Sequence, residues 1–259
     1  MLPYPKERNG MNPDQLQVVD NVLEDTSTDK PTRSAILKRA AIGTAIAAGA
    51  GAFVNVKGAA AGGDSIETVV NTAITAEQLA VTYLTGVIEN VKDPSVTKFA
   101  SVLKAANASE YAHYEALKSL GAKPLTSKFW APNAVFEPKN VFPTIEFAEY
   151  MFVNAYLVGI TTFAEAGNST LARYAGEILG TEAQHLALAK FAQGMLPDDR
   201  AFQSFIFSNV GGIVGRIEKQ GIGFGKRVGS APGKFYEFPG KPPASALTKV
   251  RDTVPAFPR

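Results

Sequence analysis

The 259-residue chain has only two histidines, and each stands three positions after a glutamate: Glu110 and His113 in "ASEYAHYEAL", Glu182 and His185 in "GTEAQHLALA". Both pairs interrupt apolar stripes of helical period. Residues three apart on a helix share a face, so each pair turns a carboxylate and an imidazole toward the same neighbours. The stripe around the first pair reads Phe99, Val102, Ala106, Glu110, His113, Leu117 and Leu120. The stripe around the second reads Leu171, Ala175, Ile178, Glu182, His185 and Ala189. Two further segments carry stripes with a single acid each: Ile66, Val70, Ala73, Glu77, Ala80, Leu84 and Val87, and then Ile145, Glu149, Phe152, Tyr156 and Phe163. Amphipathic helices bury their apolar stripes against one another, so four helices bring four carboxylates to one core.

The spacing repeats. Glu77 and Glu110 are separated by 33 positions, as are Glu149 and Glu182, and a shift of 72 carries Glu77, Glu110 and His113 onto Glu149, Glu182 and His185. Start and stop signals bound the four predicted helices. The first opens at "DSIE", with Asp64 as cap and Glu67 closing a capping box, and runs to about Val91. The second opens on Asp93 and Pro94 and stops at Gly121; the third begins near Pro143 and ends before "GNS" (167–169); the fourth runs on to Gly194. Short turns join the first to the second and the third to the fourth. A linker, "AKPLTSKFWAPNAVFEPKNV" (122–141), joins the two hairpins. This pattern predicts an all-α four-helix bundle at 62–196, two antiparallel hairpins with one long crossover.

An ionised carboxylate in an apolar core costs several kcal/mol unless it is paired, and four facing one another also repel. No lysine or arginine lies in the stripes to pair with them. Protonation of some acids is one solution; two divalent cations, whose charge neutralises four carboxylates, are the other. Glu-x-x-His favours the cations, because a carboxylate oxygen and an imidazole nitrogen on one face reach one ion together. Two imidazoles and four carboxylates form a hard, mainly oxygen donor set that suits iron or manganese, with zinc also compatible. With no cysteine, thiolate-held iron–sulfur clusters, disulfides and thiol nucleophiles are excluded.

The set resembles that of the ferritin-like di-iron and di-manganese carboxylate proteins, in which two helices give one Glu each and the other two give Glu-x-x-His. "TAEQLAVTY" (75–83) and "FAEYMFVNAY" (147–156) are similar to the first and third helices of bacterial exported ferritin-like domains, a family that also resembles plant desiccation-related proteins. The resemblance implies a ferritin-like four-helix bundle holding two metal ions, iron first and manganese as the alternative. The metal ligands would be Glu77, Glu110, His113, Glu149, Glu182 and His185. In that scheme Glu77 and His113 serve one ion, Glu149 and His185 the other, and Glu110 and Glu182 bridge. The implied chemistry is redox with dioxygen or peroxide, such as Fe(II) oxidation or peroxide detoxification. The alternatives are manganese-dependent peroxide disproportionation and a protective, desiccation-related structural protein without turnover.

Other residues carry less. Glu165 competes with Glu149 on the third helix but sits at its end, out of phase with the stripe. Glu146, one turn before Glu149, reads as a solvated acid near a helix start or as a neighbour of the ligands. Tyr83, Tyr111, Tyr114 and Tyr156 fall near the expected metals, where carrying electrons, hydrogen bonding to a ligand or ordinary packing would each account for them.

The flanks differ from the bundle. Segment 1–61 is polar at first, and then Arg33, Lys38 and Arg39 precede the uncharged "AAIGTAIAAGAGAFV" (40–54) and "GAAAGG". That order is expected of an export signal or anchor, too short for an ordinary span of about 20 residues. "TRSAILK" (32–38) resembles the twin-arginine motif, with Ser34 where the second arginine would stand. An exported protein, periplasmic, cell-envelope or extracellular, with envelope association through this segment is the expectation. Segment 197–259 reads as a Gly/Pro-rich arm, basic over 201–259 with nine Lys/Arg against three Asp/Glu, with "AFQSFIFSNVGGIVGRI" (201–217) as a candidate fifth helix. The formal net charge of +2 argues against nucleic acid as a partner. A homo-oligomer is expected.

Overall fold

The computed structural model describes residues 63–243, and the expected export segment lies outside them. Four long helices form the bundle. Helix α1 spans Ile66–Asn90, and after a short turn α2 (Pro94–Thr97) and α3 (Ala100–Ser119) return antiparallel to it. The crossover contains β1 (Lys128–Pro132) and a 3₁₀ turn at Asn133–Phe136. Helices α4 (Pro138–Glu165) and α5 (Ser169–Ala192) make the second hairpin, followed by α6 (Val210–Lys219), β2 (Gly223–Phe224) and β3 (Gly233–Glu237). No helix among the described residues is long and apolar enough to cross a membrane.

The stripes of α1 and α4 named from the sequence are buried along their length. At one end of the bundle Leu84, Val87, Val96, Leu103, Val141, Phe142 and Ile145 close a single apolar cluster beneath the mid-helix acids. Each such side chain contributes about 1.5–3 kcal/mol on full burial.

Helix boundaries depart from expectation in three places. Ser65, rather than Asp64, caps α1: its hydroxyl accepts from the Thr68 N–H at 3.0 Å. Asp64 is thereby free to accept the Val210 N–H at 2.6 Å, at the first turn of α6, where a carboxylate also meets the positive end of the helix. The second predicted helix is two pieces. Asp93 caps α2 as expected, but the chain turns at Lys98 and Phe99, whose ring packs edge-on against Phe142 with centroids 5.1 Å apart. The third helix starts at Pro138, not near Pro143, which lies inside it. Pro138 occupies the first helical position, where no N–H is needed, and Pro143 forfeits one backbone hydrogen bond near that end.

The linker and the C-terminal arm are more regular than their composition suggests. Strand β1 pairs antiparallel with β2 (Phe129 opposite Phe224) and with β3 (Phe129 opposite Tyr236, Trp130 opposite Phe235). The crossover is also tied to α1, since Asn71 Oδ1 accepts from Lys123 N at 2.7 Å and the Tyr83 hydroxyl donates to the Val135 carbonyl at 2.7 Å. The arm is strapped to the bundle by the Asp64–Val210 bond, the Lys190–Asp199 ion pair and Asn154 Oδ1 accepting from Ile206 N. Only glycine fits at 223, where a Cβ would lie 2.0 Å from the Lys226 carbonyl oxygen. Gly223→Ala is therefore expected to detach β2 and cost about 1–3 kcal/mol; an unchanged denaturant midpoint would contradict the packing described.

Candidate metal centre

Glu77 stands midway along α1, Glu149 midway along α4, and the two Glu-x-x-His pairs lie on α3 and α5. All six side chains are buried; Glu110 and Glu182 have no exposed surface at all, while His113 and His185, at 9% and 8%, are the least enclosed. The donor atoms fall into two groups. Glu77, Glu110, His113 and Glu182 each offer one atom within 4.8 Å of the others, and so do Glu110, Glu149, Glu182 and His185. The groups share Glu110 and Glu182. Every residue singled out from the sequence as a candidate ligand is thus brought to one place.

His113 Nδ1 lies 3.0 Å from Glu182 Oε1, 3.4 Å from Glu110 Oε2 and 3.6 Å from Glu77 Oε2. His185 Nδ1 lies 2.7 Å from Glu110 Oε1, 3.4 Å from Glu182 Oε2 and 3.8 Å from Glu149 Oε1. Despite these approaches, both Nδ1 atoms and all four oxygens of Glu110 and Glu182 lack a partner in hydrogen-bond direction. Each Nδ1 thus lies near oxygens of three carboxylates at once. Buried polar atoms are nearly always hydrogen-bonded. Eight unsatisfied atoms here, including Glu77 Oε2 and Glu149 Oε2, fit a centre that is completed by cations.

The charges divide in a defined way. Burial, followed by the charge of Glu182, holds Glu77 well above the usual carboxylate range. Burial and then the charges of Glu110 and Glu182 do the same to Glu149. Burial also works against ionised Glu110, but His185 and His113 beside it more than reverse this and hold it low. Glu182 is lowered as well, the two imidazoles outweighing burial and repulsion from Glu110. Burial opposes the imidazolium of His185, yet the adjoining Glu110 raises it from 6.5 to about 10, and His113 is likewise raised by Glu110 and Glu182. Without metal, Glu77 and Glu149 are thus pushed toward the protonated form, His113 and His185 toward imidazolium, and Glu110 and Glu182 toward the carboxylate.

Tyr156 is the tyrosine that joins the centre, its hydroxyl donating to Glu77 Oε1. Burial, and then the charge of Glu77, raise its phenol well above the ordinary range, so it remains a donor. Tyr83 instead bonds the crossover, and Tyr111 and Tyr114 stack on each other and, through Tyr114, on Phe238. Glu165 is exposed at the end of α4, and Glu146 accepts from Gln193 Nε2 at 2.7 Å, away from the donor groups. The phase of the α4 stripe carried the signal that separates Glu149 from both.

Residues 63–195 match the family described as ferritin-like domain. The chain belongs to the ferritin-like family. No curated protein and no solved structure matches it. The match covers the two helical hairpins and the crossover and stops before α6. The ferritin-like domain and its buried carboxylate and imidazole cluster are together compatible with a site for two metal ions.

Proposed function

We propose that this chain is an exported ferritin-like protein in which Glu77, Glu110, His113, Glu149, Glu182 and His185 hold two metal ions, iron first, for redox chemistry with dioxygen or peroxide. The observation that carries the reading is the overlap of two buried four-residue donor groups in Glu110 and Glu182. Two carboxylates common to both groups would let Glu110 and Glu182 serve two ions at once. Two iron ions would supply electrons to dioxygen or peroxide, and the outcome would be Fe(II) oxidation or peroxide removal.

The chain's own residues perform definite tasks in this scheme. Glu110 and Glu182 provide charge common to both ions, and His113 and His185 supply the nitrogen that makes the donor set selective for iron or manganese over calcium and magnesium. The Tyr156 hydroxyl occupies Oε1 of Glu77 and leaves Oε2 to face the centre. The apolar shell of Ala73, Ala80, Leu84, Ile145 and Phe152 excludes bulk water, which strengthens each electrostatic contact inside. Export is supported by the charge and hydropathy order of residues 33–61 alone.

Elemental analysis of protein purified without chelator, followed by oxygen- and peroxide-consumption assays on the loaded protein, tests the reading. About two iron per chain with turnover is the expected result. Two manganese with peroxide disproportionation would replace iron by the alternative metal. No metal, even after anaerobic addition of Fe(II) or Mn(II), would refute the redox reading and favour a protective scaffold. Within the same assay, Glu149→Gln is expected to lose at least one ion, whereas Glu165→Gln retains both.

A further inference from the structure

The shift of 72 that carries Glu77 onto Glu149 also carries Leu84 onto Tyr156. The two halves of the centre therefore share ligands but differ in what stands behind the terminal glutamate. Behind Glu77 is a phenol that donates to its Oε1. Behind Glu149 is Leu84, which has no hydroxyl to offer, and Glu149 Oε2 is buried without a hydrogen-bond partner.

An apolar cavity lies on each side. One, of about 20 Å³, is lined by Ala73, Ala155, Tyr156 and Ile178, and none of the six candidate ligands forms its wall. The other, of about 30 Å³, is lined by Leu79, Leu84, Ile145 and Glu149, with Ile217 of α6 and Ile222 just beyond that helix also in its wall. Ala73 and Ile145, Ala155 and Tyr83, and Tyr156 and Leu84 are related by the same shift, so these are corresponding cavities of the two hairpins. Tyr156 lines the first cavity and Glu77 does not. Glu149 opens directly on the second. About 10–15 Å³ is enough for one water-sized molecule, and a cavity with apolar walls favours an uncharged guest over water.

We infer that the two halves are unequal: Tyr156 is a positioning residue that fixes the Glu77–His113 half, and the cavity at Leu84 is a binding site that delivers a small uncharged molecule, of the size of dioxygen, to the Glu149–His185 half. The inference rests on the proposed dinuclear reading, although its geometry does not depend on which metal is bound. A glutamate held by a hydrogen bond at one oxygen presents the other in a fixed direction, whereas no tyrosine hydroxyl orients Glu149, whose Oε2 has no hydrogen-bond partner. The C-terminal arm thereby gains a role, because Ile217 and Ile222 form part of the wall of this cavity.

Two measurements test this, and neither reads turnover. In an anaerobic Co(II) titration followed by visible absorption, the native protein is expected to bind two ions in distinct steps. Tyr156→Phe should weaken one step by about tenfold or more, the usual effect of losing a group that orients a ligand, and leave the other in place. Equal weakening of both steps, or no change, would overturn the assignment of Tyr156. Absence of Co(II) binding by the native protein would instead refute the dinuclear reading itself. In xenon-pressurised crystals, a xenon atom is expected against Leu84 and Glu149 in the native protein and in Tyr156→Phe, and none there in Leu84→Phe or, from the opposite wall, Ile217→Phe. No xenon at that position in the native protein, or xenon retained in a folded filling variant, would overturn the cavity as a binding site.

Discussion

In protein carrying Glu110→Gln and Glu182→Gln together, bound metal is expected to fall from about two ions per chain to none. These two residues are shared by both donor groups, so their loss strips two ligands from each at once. The glutamine substitutions keep the side-chain volume, and the fold should survive because the charges they remove are buried ones. The same variant separates metal binding from folding. Metal in excess stabilises whatever binds it in the folded state, by about 2.7 kcal/mol per site at a hundred times the dissociation constant. For a domain of this size that is roughly 5–10 °C in the unfolding midpoint. The native protein should show this shift with Fe(II) or Mn(II) under argon and the variant should show none. Retention of two ions by a folded variant would refute the bridging assignment.

The second large effect is on pH. His185 is raised from 6.5 to about 10 on folding, so its contribution to stability is complete below pH 6.5 and is lost as the pH rises toward 10; His113 acts in the same sense. Glu77 and Glu149 are raised from 4.5, so they also favour the folded state less as the pH climbs above that value. Glu110 and Glu182 are lowered from 4.5, and their contribution is lost as the pH falls through the acid range. The metal-free protein should therefore be most stable between these two windows, with its unfolding midpoint declining from pH 6.5 to 10. Metal binding runs the other way, because ligands must give up their protons to coordinate. Filling the centre would displace the protons these side chains hold, up to about four from Glu77, Glu149, His113 and His185. Calorimetric titration in two buffers of different ionisation enthalpy measures that number. The gap between loaded and metal-free midpoints should widen from pH 6 to 9. A metal-free midpoint that stays flat above pH 6.5, or loading that releases no protons, would show that the centre is not ionised as described.

The six residues of the centre were legible in the sequence because their positions follow from local geometry. A helix repeats every 3.6 residues, so a glutamate in phase with an apolar stripe has to face the core whatever the partner helices are. Glu149 was separable from Glu165 on that basis, and the exposed position of Glu165 agrees. Features that depend on a few residues at a helix end were less secure. Ser65 and Asp64 are both good caps, and the choice fell to Ser65 while Asp64 was engaged by Val210, far along the chain. Pro143 reads as a helix start and lies within a helix because Pro138 fills the first position.

What the sequence determined by itself is the bundle and the polar set at its centre: four periodic stripes, two short turns, one long crossover, and acids with no internal cation to neutralise them. Only the tertiary structure decided the rest. Strand β1 is a short apolar run whose partners lie about a hundred residues later, and pairing at that distance leaves no periodic trace in either segment. Of four candidate tyrosines, the one that reaches a ligand was chosen by the approach of α4 to α1, which brings the Tyr156 hydroxyl to Glu77 while its counterpart position holds Leu84. The lining that Ile217 and Ile222 share with Glu149 is likewise a contact between segments remote in sequence. Local periodicity fixes which residues face inward; which of them touch, and what space is left between them, is set by how the helices lie against one another.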